Sequence, residues 1–128
     1  MALTIRSYQD LKVWKAGMRL ASESYRLTRT FPSHERYGLS AQIRRAAVSI
    51  PANIAEGHGR LHRGDYLRFV SVAIGSLREM ETELLLARHL GYVTEADGQR
   101  ILQLADEIGR MLGSLARRLR CPPLTPSP

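Results

Sequence analysis

Four stretches of this chain space their apolar residues at alternating intervals of three and four, and none alternates with the period of two that a half-buried strand requires. In the first, Leu11, Trp14, Met18, Ala21, Tyr25 and Thr28 predict a helix from about Tyr8 to Thr30 with that series as its core-facing seam. Asp10 near its start and Arg29 near its end suit the helix dipole, and Phe31-Pro32 stops it. A second helix is expected from about Glu35 to Glu56, with Ser33 as N-cap and a seam of Leu39, Ile43, Ala46, Ala47, Ile50 and Ile54. Pro51 falls inside it and should kink it, because proline removes one backbone hydrogen bond; the apolar series resumes beyond, at Ile54. Gly57, His58 and Gly59 end it.

The third helix is expected from about Gly64 to Leu90, with a seam of Tyr66, Val70, Ala73, Leu77, Met80, Leu84 and Ala87 and a left-handed cap at Gly91. The fourth begins at Thr94, which forms a capping-box-like pair with Asp97, and its seam is Ile101, Leu104, Ile108, Met111, Leu115 and Leu119. Segments of about 22–27 residues give helices roughly 33–40 Å long. Matched lengths and short loops force antiparallel neighbours. The fold expected is therefore all-α, an antiparallel up-down-up-down four-helix bundle over residues 1–120. A proline-rich tail, 121–128, is expected to be disordered. With 128 residues, one domain and one core suffice.

Charge bears on function. The net charge is +7, from 19 Lys and Arg against 12 Asp and Glu, and all but Lys12 and Lys15 of the cations are arginines. Residues 1–60 carry most of the excess. Arginine forks match phosphate and carboxylate geometry, so a polyanion or an acidic protein is the expected partner class. One cysteine, Cys121, permits no internal disulfide and fits a reducing cytoplasm. No 18-residue apolar run and no signal-peptide pattern is present, so the chain reads as cytoplasmic.

The sharpest feature lies on the first helix. Lys12, Lys15, Arg19, Arg26 and Arg29 keep the 3-4 spacing of the seam, each one residue later, interrupted only at Ser22. They form a stripe beside the core, some 25 Å long, able to track several phosphates. The plainer account is a solvated flank paired with acids of a neighbour. Arg60 and Arg63 flank a glycine-rich loop whose backbone could approach phosphate closely, although the lysine ending of a phosphate-binding loop is missing. Arg44 and Arg45 are expected opposite Glu79 and Glu83, with Glu81 nearby, as structural ion pairs between the second and third helices.

Catalytic patterns are weak. A di-metal bundle needs Glu-x-x-His, which does not occur. His58 and His62 are separated by Gly59, which makes shared-face zinc ligation doubtful. Glu79 and Glu83 share a face as in magnesium-dependent all-α nucleotide hydrolases, but only Asp106 and Glu107 offer facing carboxylates, and Arg44 and Arg45 compete for them. Cys121 has no fixed base. Neither enzyme activity, nor a metal, nor a cofactor is expected. Tyr8, Trp14, Tyr25, Tyr37, Tyr66, Tyr92 and the two phenylalanines, Phe31 and Phe69, read as core anchors rather than base-stacking platforms, some of them open to subunit contact.

The run Ser49-Ile50-Pro51-Ala52-Asn53-Ile54-Ala55-Glu56-Gly57 followed by Gly59-Arg60 is distinctive. So are Asp65-Tyr66-Leu67-Arg68-Phe69, Gly75-Ser76-Leu77-Arg78-Glu79, Glu81-Thr82-Glu83 and the opening Leu11-Lys12-Val13-Trp14-Lys15. Over residues 8–119 the chain resembles the bacterial four-helix-bundle family named for 23S rRNA intervening-sequence proteins. The resemblance implies proteins encoded inside rRNA intervening sequences. It also implies likeness to the accessory protein of diversity-generating retroelements, a basic homopentamer that works with a reverse transcriptase and RNA. It brings no catalytic motif. The function expected is a non-catalytic homo-oligomer that binds RNA through Arg and Lys contacts to phosphate. The alternatives are a scaffold for an acidic protein partner and, third, the magnesium-dependent hydrolase.

Overall fold

The computed structural model describes residues 5–121, and the expectation for the tail beyond Cys121 lies outside them. Four helices account for most of these residues: α1 Lys12–Thr28, α2 Leu39–His58, α3 Arg63–His89 and α4 Glu95–Arg120. Each packs against its sequence neighbours, α2 with α3 most extensively, and α1 meets α4 to close an antiparallel four-helix bundle. No strand occurs among the described residues.

The core is continuous along the axis. Ile43, Ile50 and Ile54 from α2, Val70, Leu77, Met80 and Leu84 from α3, and Ile108 and Leu112 from α4 are all fully buried. Each large side chain contributes roughly 1.5–3 kcal/mol by leaving water. The expected seams of α2 and α3 are the buried ones, Tyr66 alone being half-buried. On α4 the line of deepest burial is Ile101, Ala105, Ile108, Leu112 and Ala116, with Leu104, Met111, Leu115 and Leu119 packed half-buried at its edges.

Helix α1 departs from expectation. Its buried residues are Val13, Ala16, Gly17, Leu20, Ala21, Ser24, Leu27 and Thr28, so Ala21 and Thr28 of the expected seam are buried, whereas Met18 and Tyr25 are more than 40% exposed. Of the expected seam, Leu11 and Trp14 pack half-buried against the core and only Met18 and Tyr25 sit on the exposed flank. The buried face holds Val13, Leu20 and Leu27 but is masked in the sequence by the small or polar Gly17 and Ser24 among them. Gly17 lets α2 come close: a Cβ there would lie 3.4 Å from the Cβ of buried Pro51. Ser24 is tolerated in the core because its hydroxyl donates to the Leu20 carbonyl at 2.8 Å. Tyr37 is likewise no core anchor, being 89% exposed.

The helix ends also differ in detail. Tyr8–Asp10 is a separate 3-10 turn, closed by a capping box between Ser7 and Asp10, and the extended backbone of Leu11 divides it from α1. Ser33 opens another 3-10 turn rather than α2. The start of α2 is capped instead by Glu35, whose carboxylate accepts from the Leu39 amide at 3.1 Å and from the Tyr92 hydroxyl at 3.0 Å. Thr94 caps α4 by accepting from the Asp97 amide, but the Asp97 carboxylate turns to Arg100 and leaves the capping box half made. At the end of α3, Gly91 takes φ +81°. The Gly91 amide donates to Arg88 and the Tyr92 amide to Ala87, the paired bonds of a left-handed helix stop.

Candidate nucleic-acid interface

Corrected phasing moves the basic stripe. At about 100° per residue, Lys12, Lys15, Arg19, Arg26 and Arg29 lie roughly 140° from the buried line of α1, so they face outward instead of flanking the core. All five are exposed. The stripe is not uniform. The Arg26 guanidinium is held by Glu23, which also accepts from Arg100 of α4 at 2.7 Å. Arg26 first, then Arg100, holds the Glu23 carboxyl below the ordinary carboxylate range. Lys12, Lys15, Arg19 and Arg29 have no carboxylate within ion-pair distance among the described residues.

Antiparallel packing gathers charge that the sequence disperses. The start of α1, the end of α2, the start of α3 and the end of α4 share one end of the bundle. Lys12 faces Arg110 and Arg118 across a groove between α1 and α4 floored by Leu11, Met111 and Leu115. Arg117 and Arg120 are exposed close by, and Lys15 lies one turn along α1. The acids at this end are engaged or few. The Asp10 carboxylate takes the backbone amides of Arg6 and Ser7. Glu56 and Asp65 sit 3.6 and 3.8 Å from Arg60 and Arg68. Sequence reasoning included Lys12, Lys15, Arg60 and Arg63 here but missed Arg68 and the α4 arginines. The run of basic residues ending α4 was the signal available for the latter.

Arg63 does not belong to the free set. Its guanidinium crosses to α4 and donates to the carbonyls of Arg118 and Cys121, the latter at 2.9 Å, closing that helix's C-terminus. Arg26 and Arg29 lie at the other end of α1, so the stripe and the basic end overlap only at Lys12, Lys15 and Arg19.

The expected ion pairs of Arg44 and Arg45 with Glu79 and Glu83 are not formed. Neighbouring residues on a helix point about 100° apart, so both arginines cannot face α3. Arg44 turns to α1, donating to Thr28 Oγ1 at 2.8 Å and lying 4.7 Å from the Tyr25 ring centroid. Arg45 faces the acids without reaching them. Glu81 pairs with Arg78 of its own helix. Glu83 is buried, with one carboxylate oxygen lacking any hydrogen-bond partner. Burial, then Glu79, raises its pKa to about 7, while Arg45 opposes the shift. About two turns away on α3, polar groups do pair across the α2/α3 seam. Ser49 Oγ and Ser76 Oγ lie 2.8 Å apart, and the Asn53 amide donates to the Ser49 carbonyl and hydroxyl. Those three residues come from the distinctive runs of the sequence.

Among the described residues no three His, Cys, Asp or Glu side chains cluster closely enough to hold a metal ion. Asp106, expected to face Glu79 and Glu83, pairs with Arg110 at 3.1 Å and lines the groove between α3 and α4 with Arg78 and Arg117. No helix among the described residues is long and apolar enough to cross a membrane.

Comparison with known proteins agrees with this architecture. A family profile described as 23S rRNA-intervening sequence protein matches residues 9–114. Among solved structures, the chain is similar to a protein of unknown function from the S23 ribosomal protein family of Bacteroides thetaiotaomicron. Identity is 25% and the TM-score 0.75, over 82% of this chain and 98% of that one. No curated protein matches the sequence.

Proposed function

We propose that this chain, which belongs to the 23S rRNA-intervening sequence protein family, binds RNA without catalysis, through phosphate contacts at the basic end of its bundle. The observation that carries this reading is that Lys12 and Arg118 line one groove between α1 and α4, with Lys15, Arg117 and Arg120 exposed at the same end of the bundle and no carboxylate in ion-pair range of any of the five among the described residues. Like charges so placed repel one another and gain most from a polyanion that displaces its own counterions. Contacts to phosphate fix position and carry little sequence information, so sequence preference is weak.

The reading includes self-association. Met18 and Tyr25 of α1 and Val48 of α2 are exposed beside Pro51 in one shallow apolar groove. A second copy covering it would repeat the basic end around a closed ring and multiply its hold on RNA. Five subunits, and a reverse transcriptase as protein partner, are what the family resemblance adds to the proposal.

Fluorescence anisotropy of a labelled structured RNA, titrated at several salt concentrations with protein of measured oligomeric mass, tests it. The expected result is a steep fall of log affinity with log salt, flattened when Lys12, Lys15, Arg117 and Arg118 become Ala. No binding at low salt overturns the reading in favour of a scaffold for an acidic protein.

A further inference from the structure

Gly57 and Phe69 hold the corner between α2 and α3 unusually tight. A Cβ on Gly57 would fall 2.8 Å from the Cβ of Phe69 and 3.0 Å from Tyr66 Cδ1, so only glycine lets the end of α2 rest on this face of α3. That contact brings Phe69 under Arg60, two residues past the helix end. The Arg60 guanidinium lies 4.7 Å from the Phe69 ring centroid, and the Arg68 guanidinium lies at the same distance. Two cations are thus held within twice that distance of each other by one ring. Their carboxylate neighbours, Glu56 and Asp65, are beyond hydrogen-bond length at 3.6 and 3.8 Å. Both arginine side chains are solvent-accessible, at 43% and 63%, and neither guanidinium donates a hydrogen bond among the described residues.

We infer that Arg60, Phe69 and Arg68 form a binding site for one unpaired nucleotide of an RNA strand, a reading that rests on the RNA-binding function proposed above. A guanidinium lying on an aromatic ring keeps its plane fixed and its outer face open. A base stacks on such a plane, and the in-plane N–H groups bond a phosphate. One arginine therefore takes the base and the other the adjoining phosphate. A base inside a duplex cannot reach the stack, so the site favours loops, bulges and ends. Lysine in either position keeps the charge and loses the plane.

The test compares a hairpin RNA with an unpaired loop against a fully paired duplex of equal length, by anisotropy, with wild type and the double variant Arg60→Lys, Arg68→Lys. Wild type should favour the hairpin by about tenfold, the worth of one stacked base. The double variant should bind the duplex as before, with the same salt slope, and lose the hairpin preference. Phe69→Leu, with folding verified by circular dichroism, should reproduce that loss. A 2-aminopurine in the loop should brighten on binding wild type, as the base leaves its stacked neighbours, and not on binding the double variant. Equal binding of both RNAs by wild type, or an unchanged preference in the double variant, overturns the nucleotide site and leaves phosphate binding standing. Wild type that binds neither RNA overturns both.

Discussion

The guanidinium of Arg63, in the first turn of α3, donates to the carbonyl of Cys121, just past the last turn of α4, at 2.9 Å. A side chain chosen by sequence position as a phosphate ligand is thus spent on an unpaired helix terminus. Arg63→Ala should lower unfolding stability by about 1 kcal/mol in urea titration. It should leave the salt slope of RNA binding unchanged, and a flatter slope would return Arg63 to the interface.

Glu83 makes stability depend on pH in the direction opposite to a paired carboxylate. Its folded pKa, about 7, stands above the ordinary 4.5, with burial and Glu79 raising it and Arg45 opposing. Below 4.5 both folded and unfolded chains hold the proton. As pH rises from there to 7 only the unfolded chain releases it, so stability falls, and above 7 the full penalty applies. Glu83→Gln should match wild type near pH 4 and exceed it above pH 7 by up to about 3 kcal/mol. Thermal melts across that range check this, and parallel curves would mean that Glu83 is solvated.

Gly57→Ala should cost about 1–3 kcal/mol, the range for overpacking, because its new methyl meets the Cβ of Phe69, which cannot rotate away. Gly75→Ala on α3 is the control: nothing lies within 4 Å of a Cβ there, so helix propensity should make it neutral or stabilising. Urea midpoints of the two variants separate the effects.

On the stripe of α1, Lys15→Ala with Arg19→Ala should flatten the salt dependence of RNA binding by about two counterions. Arg26→Ala should change it little, because Arg26 is already neutralised by Glu23. An equal effect of Arg26 would mean that RNA displaces Glu23 from both Arg26 and Arg100.

The bundle itself was legible because α2 and α3 place isoleucines, leucines and valine where they are buried. The phase of α1 was not. Trp14, Ala21 and Thr28 of the expected seam do reach the core or its edge, but Met18 and Tyr25 do not, while Gly17 and Ser24 lie on the buried face for reasons of close approach and local hydrogen bonding. Pairing of Arg44 and Arg45 failed for a simpler reason, since neighbours on a helix diverge and Arg44 had a nearer use at the end of α1. Which cations are free was illegible in principle. Lys12 meets Arg118 only after antiparallel packing brings residues more than a hundred positions apart to one groove.

That packing also gives the molecule a direction. Glu23, Glu35, Glu79, Glu83, Glu95 and Asp97 lie toward the end away from Lys12 and Arg120, where arginines such as Arg26, Arg88 and Arg100 offset them. The end that holds Lys12 and Arg120 has cations in excess. The bundle is therefore a permanent electric dipole about as long as its helices. Near a polyanion it feels a torque before it makes any contact. The turn brings Lys12 and the end of α4 to the front, so under the proposed RNA-binding function a larger share of first collisions occurs in the productive orientation.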